Sequence, residues 1–325
     1  MILVTGGTGF VGSHVLERLR AEGMPVRCLV RPKTARKLDA AAMGASEVVA
    51  GDLRTGAGLK EALAGVGAVI HLAGVTKALR REEYYDGNVG ATANLLLALE
   101  GSGVRLVHVS SLAAVGPSES AHRPVDETTE PHPLTHYGKS KLEGERLVRA
   151  SRPDAVIVRP PVVYGPRDTD VFQMLKPVAR GWSLQMSGGE RWFSAIYVAD
   201  LAAGLVQLAA SQVGAGRTYY LAHEQPVSWS GLAATAARIM GVKARVVRIP
   251  PPVARAVGAC TEAWARATGR PGIVSREKIA EGLCAAWTCD TARARAELGF
   301  TAPTDLEHGL TKTLAWYKEA GWLSY

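Results

Sequence analysis

Cysteine is scarce in this chain, and none of the four (Cys28, Cys260, Cys284, Cys289) stands in a C-x-x-C pair. That count and spacing fit neither a disulfide framework nor a zinc pair, so four free thiols in a reducing compartment are expected. Aromatic residues are few as well, at 6% of 325. No basic run is interleaved with the stacking rings that single-stranded nucleic acid binding uses. No apolar run reaches the length of a membrane span. The start carries no basic segment followed by a long apolar stretch, so we expect no signal peptide and a cytoplasmic protein. Charge leans to one side only mildly, 38 basic against 30 acidic residues, a net +8. Scattered arginines of that number favour anionic ligands rather than nucleic acid. What is present, 47% hydrophobic and 21% charged residues, is ordinary globular composition, and the length suits one large α/β unit.

Short β-rich runs at residues 2–5, 26–30, 47–50, 68–72, 106–110 and 156–159 alternate with helical stretches at 11–22, 34–43, 58–63, 88–100 and 137–151. Strands that read as continuous apolar runs between helices indicate a parallel sheet covered on both faces. Right-handed crossovers then give a doubly wound sheet with its ligand at the carboxyl ends of the strands. Residues 116–134 form a long loop with four prolines. Beyond Pro160, helices at 171–180 and 198–210, short strands at 218–221 and 244–249, and a mostly helical tail at 252–322 suggest a smaller, partly helical lobe. The expected division is a dinucleotide-binding domain at 1–165, with crossing segments at roughly 193–222, and a substrate-binding lobe over most of 166–325.

The chemistry-bearing pattern begins at Thr5-Gly6-Gly7-Thr8-Gly9-Phe10-Val11-Gly12, between the first strand and the first helix. Glycines at 6, 9 and 12 allow a tight turn and a close approach of pyrophosphate to backbone, and the helix N-terminus supplies free N–H groups. At the end of the second strand, where an acid would hold a free ribose 2′-hydroxyl, stand Val30 and Arg31, followed by Lys33, Arg36 and Lys37. A guanidinium there suits a 2′-phosphate, so NADP(H) is expected over NAD(H).

Tyr137 and Lys141 lie four apart, on one helical face. A phenol with a pKa of about 10 needs its anion stabilised before it trades protons near neutrality, and an ammonium one turn away does so. The phenol then gives a proton to a carbonyl oxygen, or takes one from an alcohol, as hydride moves at carbon. Ser110 and Ser111 end the fifth strand, where a hydroxyl could hold the substrate oxygen.

Together these residues resemble the extended short-chain dehydrogenase/reductase family, also called NAD-dependent epimerase/dehydratase. The likeness runs through Gly51-Asp52-Leu53, His71-Leu72-Ala73-Gly74, Asn88-Val89-Gly90-Ala91-Thr92, residues 110–116, residues 159–166 and Tyr197-Val198-Ala199-Asp200. It implies a Rossmann fold, with Asp52 and Leu53 at the adenine and Leu72, Ala73 and Gly74 beside the pyrophosphate and nicotinamide ribose. It also implies that Lys141 holds ribose hydroxyls, that Pro161 touches the nicotinamide, that Ser111 is the catalytic serine, and that the protein is a homodimer through paired helices.

Departures from that pattern bear on substrate. Val162 and Phe193 stand where sugar-nucleotide epimerases carry Asn and Arg, and apolar side chains cannot satisfy a diphosphate. Leu112-Ala113 replace the Asp-Glu pair of the 4,6-dehydratases. The Val30-Arg31-Pro32 and Pro161-Val162 segments are nearer the flavonol-reductase and 3β-hydroxysteroid-dehydrogenase branch. Trp182, Met186, Trp192 and Phe193 either line an apolar pocket, with Val162, or belong to the lobe's core. The expected activity is NADP(H)-dependent interconversion of a hydroxyl and a carbonyl on a mid-sized, largely apolar small molecule. The alternatives are an epimerase using the same residues and a binding protein without chemistry. No metal is expected, since His14, His71, His108, His122, His132 and His136 share no ligand spacing. Asp126, Glu127 and Glu130 are expected to be solvated, and the amphipathic, basic stretch at 250–270 to pack within the lobe, with contact to a membrane surface as the alternative.

Overall fold

A computed structural model describes residues 1–35, 44–269 and 274–325. Most of the helix expected at 34–43, including Arg36 and Lys37, and also Arg270, lie outside the described residues. The strands run β1 (Ile2–Thr5), β2 (Val26–Val30), β3 (Glu47–Ala50), β4 (Ala68–His71), β5 (Arg105–Val109), β6 (Val156–Val158) and β7 (Val162–Tyr164). There follow β8 (Trp182–Met186), β9 (Trp192–Phe193), β10 (Ala195–Tyr197), β11 (Thr218–Tyr219), β12 (Val227–Ser228), β13 (Arg245–Ile249) and β14 (Ala286–Trp287).

Seven of them form one parallel sheet in the order β11-β6-β5-β4-β1-β2-β3. Alternation along β1 shows why its sequence is apolar throughout. Ile2 and Val4 enter a core shared with Val15, Leu16 and Leu19 of the helix Phe10–Ala21 and with Leu201 and Leu205 of the helix Val198–Ala210. Leu3 enters the opposite core with Leu59, Leu95 and Val148. Both faces are covered, so neither parity of residue can be polar. The chain winds from β1 outward through β2 to β3, then returns to β4 on the other side of β1. That reversal leaves a crevice outside the carboxyl ends of β1 and β4.

The remaining strands are short and build the lobe. β7 pairs with β10 and β8 with β13, both in parallel, while β9 lies between β12 and β14. Their core gathers Val171 and Leu175 of the helix Asp170–Ala179, Leu232 and Ala236 of Trp229–Met240, and Leu310, Leu314 and Tyr317 of Leu306–Glu319. Of these strands the sequence suggested only β13; all the others but β8 have two or three residues and carry no periodicity of their own. The tail divides its packing. Ala294 and Phe300 return to the first core, where a Cβ on Gly204 would lie 2.8 Å from the Phe300 ring.

The proline-rich loop is held rather than free, through bridges from Ser118 to Ala286 and from Val125 to Cys289. The Glu127 side chain, expected in solvent, is instead 5% exposed and sits 3.6 Å from Arg293. Burial raises its pKa above the usual carboxylate range.

Candidate active site

The glycine loop is dictated by close approaches. Gly6 has φ +75°, and a Cβ there would meet the Ala73 backbone nitrogen at 2.7 Å; one on Gly12 would meet the Gly6 carbonyl oxygen at 2.2 Å. Side chains are therefore forbidden at both positions. Gly9 begins the helix Phe10–Ala21 with no side-chain cap. Amides of its first turn, including those of Phe10 and Val11, are left for an incoming anion. Phe10 is held edge-on to the His14 ring, 5.8 Å between centroids.

Beneath this loop runs one line of hydrogen bonds. Thr92 donates to the Asn88 carbonyl (2.6 Å), so its oxygen accepts from His71 Nε2 (3.1 Å). The other ring nitrogen, Nδ1, then accepts from the Thr5 hydroxyl (2.7 Å), which in turn accepts from the Ala73 amide (3.3 Å). Burial and the nearby Lys141 ammonium push His71 down to about 3, so it stays neutral and its tautomer is set by its neighbours. The effect is to fix Leu72, Ala73 and Gly74 beside the glycine loop.

Asn88 completes the support. It lies in a π-helical turn, Asp86–Gly90, ahead of the helix Ala91–Ala98, where the sequence suggested continuous α-helix. Its carboxamide accepts from the Val75 amide (2.7 Å) and donates to the Val75 carbonyl (3.0 Å) and to Ser140 Oγ (2.9 Å). One side chain thus joins the loop after β4 to the helix His136–Ser151. The widened turn is the kind of irregularity that concentrates at functional sites.

That helix carries Tyr137 and Lys141. Thr135 caps it by accepting from the Gly138 amide at 3.1 Å. Lys141 is 6% exposed and donates to the Val109 carbonyl at the end of β5 (2.7 Å). Burial lowers its pKa to about 8, opposed by Glu145 one turn on. Gly74 stands close by, since a Cβ there would lie 3.8 Å from Lys141 Nζ. Tyr137 is half-buried. Burial raises its phenol, while the neighbouring Ser111 hydroxyl and the charge of Lys278 lower it. Ser111 Oγ also accepts from the Ala113 amide (3.1 Å), whereas Ser110 is buried and its hydroxyl has no partner among the described residues. His108, beside His71 at 5.3 Å between rings, is buried with both nitrogens unpartnered among the described residues.

Three features escaped the sequence. The helix Arg276–Leu283 crosses the start of the Tyr137 helix, with Glu277 accepting from the His136 amide (3.1 Å) and Glu281 from the Thr135 hydroxyl (3.2 Å). Lys278, paired with Glu281 at 2.7 Å, comes with it. Across the cleft, Lys77 pairs with Asp170, tying the loop after β4 to the helix Asp170–Ala179. Finally, Glu145 binds Arg159 through two hydrogen bonds (2.9 and 2.7 Å) with both side chains buried, and Arg159 also donates to the Tyr220 hydroxyl (3.2 Å). This pair anchors the end of β6 just before Pro160 and Pro161. Each feature joins residues far apart in the chain, and no local pattern announces them.

The outlying candidates fall as follows. Arg31 and Lys33 are exposed at the end of β2. Asp52 is partly buried and accepts from the Arg54 amide (2.9 Å), and the Leu53 carbonyl accepts from Asn94 (2.8 Å). Pro161 and Val162 are half-buried at the start of β7. Phe193 is 7% exposed within the lobe core, its ring 6.3 Å from Trp229, so it is a core residue and does not line an open pocket. Trp192 and Trp182 are 36% and 48% exposed.

Comparison with known proteins agrees with this architecture. The sequence profile of the NAD dependent epimerase/dehydratase family matches residues 2–222. A ceramide reductase of Caulobacter vibrioides is 34% identical over 327 residues, covering 99% of this chain and 96% of that protein. The N-acetyl-alpha-D-glucosaminyl-diphospho-ditrans,octacis-undecaprenol 4-epimerase of Escherichia coli O157:H7 is 29% identical, covering 96% of this chain and 94% of that protein. The crystal structure of gox2253 superposes with a TM-score of 0.81 at 32% identity, covering 100% of this chain and 99% of that one. A profile match over most of the chain, joined by a relative of this identity along nearly its full length, settles the family: the chain belongs to the NAD dependent epimerase/dehydratase family, whose members include reductases and epimerases.

Proposed function

We propose that this protein is an NADP(H)-dependent oxidoreductase that interconverts a hydroxyl and a carbonyl on a mid-sized, largely apolar molecule. The observation that carries the reading is the Tyr137 phenol, beside Ser111 and one helical turn from the buried Lys141. The glycine cradle fits a dinucleotide, because Gly6 and Gly12 leave no room for a Cβ and Gly9 leaves a helix N-terminus uncapped. Gly6, Gly9, Phe10, Val11 and Gly12 would hold the pyrophosphate, Leu72, Ala73, Gly74 and Lys141 the nicotinamide ribose, Pro161 the ring, and Asp52 with Leu53 the adenine. Arg31 and Lys33, with no acid at the end of β2, would hold a 2′-phosphate. On this reading residues 1–165 with 193–222 bind the dinucleotide, and the rest of 166–325 forms mainly the substrate lobe.

The bound cofactor supplies or accepts a hydride. Ser111 then polarises the substrate oxygen while Tyr137 delivers a proton to it. With its pKa raised by burial, the phenol is fully protonated near neutral pH, the state a proton donor needs. Lys141 offsets the negative charge left on the phenolate, one turn away. Its own pKa of about 8 sets a limit, since above that pH the ammonium is lost. Carbonyl reduction should therefore fade as pH climbs past about 8, and a rate still rising through alkaline pH would contradict the assignment. Tyr137→Phe should lower turnover by at least about 100-fold, the low end for a general acid, with NADPH affinity and melting temperature unchanged. Near-normal turnover sinks the reading. A ceramide reductase among the relatives supports an apolar substrate. The 4-epimerase relative favours the second reading, epimerisation by the same residues. Net consumption of NADPH by a carbonyl compound distinguishes reduction from epimerisation, in which the cofactor is recycled.

A further inference from the structure

The helix Pro251–Thr268 is amphipathic in the wrong sense for a helix that only packs inward. Its buried side is made of small residues, Ala254, Gly258 and Ala265, and lies against the helix Arg276–Leu283, where a Cβ on Gly258 would meet Ile279 at 2.9 Å. Its outer side carries Val253, Val257, Cys260 and Trp264, spaced four, three and four apart on one helical stripe. These larger side chains are in water, with Val253 50%, Val257 47% and Trp264 72% exposed. Strand β13 feeds this helix through Pro250 and continues the character. Val246 and Val247 are exposed on it, and Trp182 and Leu184 on its partner β8. Exposed apolar groups so concentrated mark an interaction surface.

The charge on the same segment selects the partner. Lys243, Arg245 and Arg248, on and beside β13, are exposed, and the one acid between residues 243 and 268, Glu262, is already paired with Arg266 at 2.6 Å. A second copy seated on this stripe would bring like charge against like in a chain of net +8. An anionic lipid surface would meet the same arginines with opposite charge. We propose that the helix Pro251–Thr268, with β13, docks this protein peripherally on membranes rich in anionic phospholipid. Val257 and Trp264 enter the boundary between headgroups and acyl chains, and the arginines meet the phosphates. Docking is peripheral because no helix among the described residues is long and apolar enough to cross a membrane. Through the helix Arg276–Leu283 the docked surface is one layer from the start of the Tyr137 helix, which suits an amphiphilic substrate drawn from the bilayer. The docking itself does not rest on the oxidoreductase reading.

The test is co-sedimentation of the full chain with vesicles of phosphatidylcholine alone and of phosphatidylcholine mixed with phosphatidylglycerol, at low and high salt. Binding should require phosphatidylglycerol and weaken with salt. Trp264→Glu or Val257→Glu should reduce partitioning at least about tenfold, and Arg245→Gln or Arg248→Gln about fivefold each. All four side chains are exposed, so melting temperature and NADPH affinity should match the parent. Failure to bind anionic vesicles overturns the proposal. So does vesicle binding that survives the glutamate substitutions while those substitutions dissociate a dimer, which would make the stripe an interface between copies. Loss of docking leaves the predicted effect of Tyr137→Phe intact, and the converse also holds.

Discussion

Thr5, His71, Thr92 and Asn88 form one unbroken line of hydrogen bonds under the glycine loop, while in the lobe Trp182, Trp192 and Trp264 stand 48%, 36% and 72% exposed. In the first region each polar atom is placed by a strand or helix from elsewhere in the sheet, and glycines occur where a Cβ would collide with backbone. The demands come from inside the protein. In the second region large apolar side chains are left in solvent, on short strands for Trp182 and Trp192 and on a helix for Trp264. There the demands come from whatever the lobe meets, whether small molecule or surface. The same chain thus combines a site whose geometry is over-determined with a lobe whose outer face is under-determined by its own fold.

The sharpest way to break that contrast is at the joint between the two. Glu145→Ala should destabilise the fold by about 3–5 kcal/mol, because it leaves the Arg159 guanidinium buried without its carboxylate. Chemical denaturation reads this directly, and a loss under about 1 kcal/mol would mean that the pair does not fix the end of β6. Within the lobe, neighbouring residues of β9 should behave oppositely. Phe193→Ala should cost about 3 kcal/mol as a core truncation. Trp192→Ala should cost less than about 1 kcal/mol while raising the KM for an apolar substrate. Equal losses of stability would erase the distinction drawn between inner and outer faces. The smallest effect is expected at the cofactor end. Arg31→Ala should narrow a preference for NADPH over NADH by about tenfold, the worth of a charge-assisted hydrogen bond, measured by paired titration. An unchanged ratio, or tighter NADH binding in the parent, would remove Arg31 from the 2′-phosphate.

Legibility in the sequence follows the same divide. β1 and β2 match the ranges read from apolar runs, since two-sided burial makes a parallel strand visible without its partners; β3 matches as well, although this edge strand is only partly buried. The glycine loop was visible because a turn that tolerates no Cβ must be written in glycine. Tyr137 and Lys141 were visible because four residues make one helical turn. Asn88 was seen only as part of a motif, and its clamp on Val75 and Ser140 depends on a π-helical turn that no periodicity predicts. Glu127 was misjudged because an acid in a proline-rich loop reads as solvated until Arg293 packs beside it. The strands of the lobe pair across long stretches of chain, as Trp287 does with Phe193, so their two residues hold no information alone.

The contacts from Glu277 to the His136 amide and from Glu281 to Thr135 span 141 and 146 positions of the chain. During ribosomal synthesis, where folding proceeds from the N-terminus, the sheet and its glycine turn can assemble while these carboxylates do not yet exist. The start of the Tyr137 helix receives its last two acceptors only when the final sixth or so of the polypeptide emerges. A nascent chain stalled or clipped before Arg276 would therefore hold a formed glycine turn beside an unfinished start to the Tyr137 helix, which on the proposed function would separate cofactor capture from turnover in time.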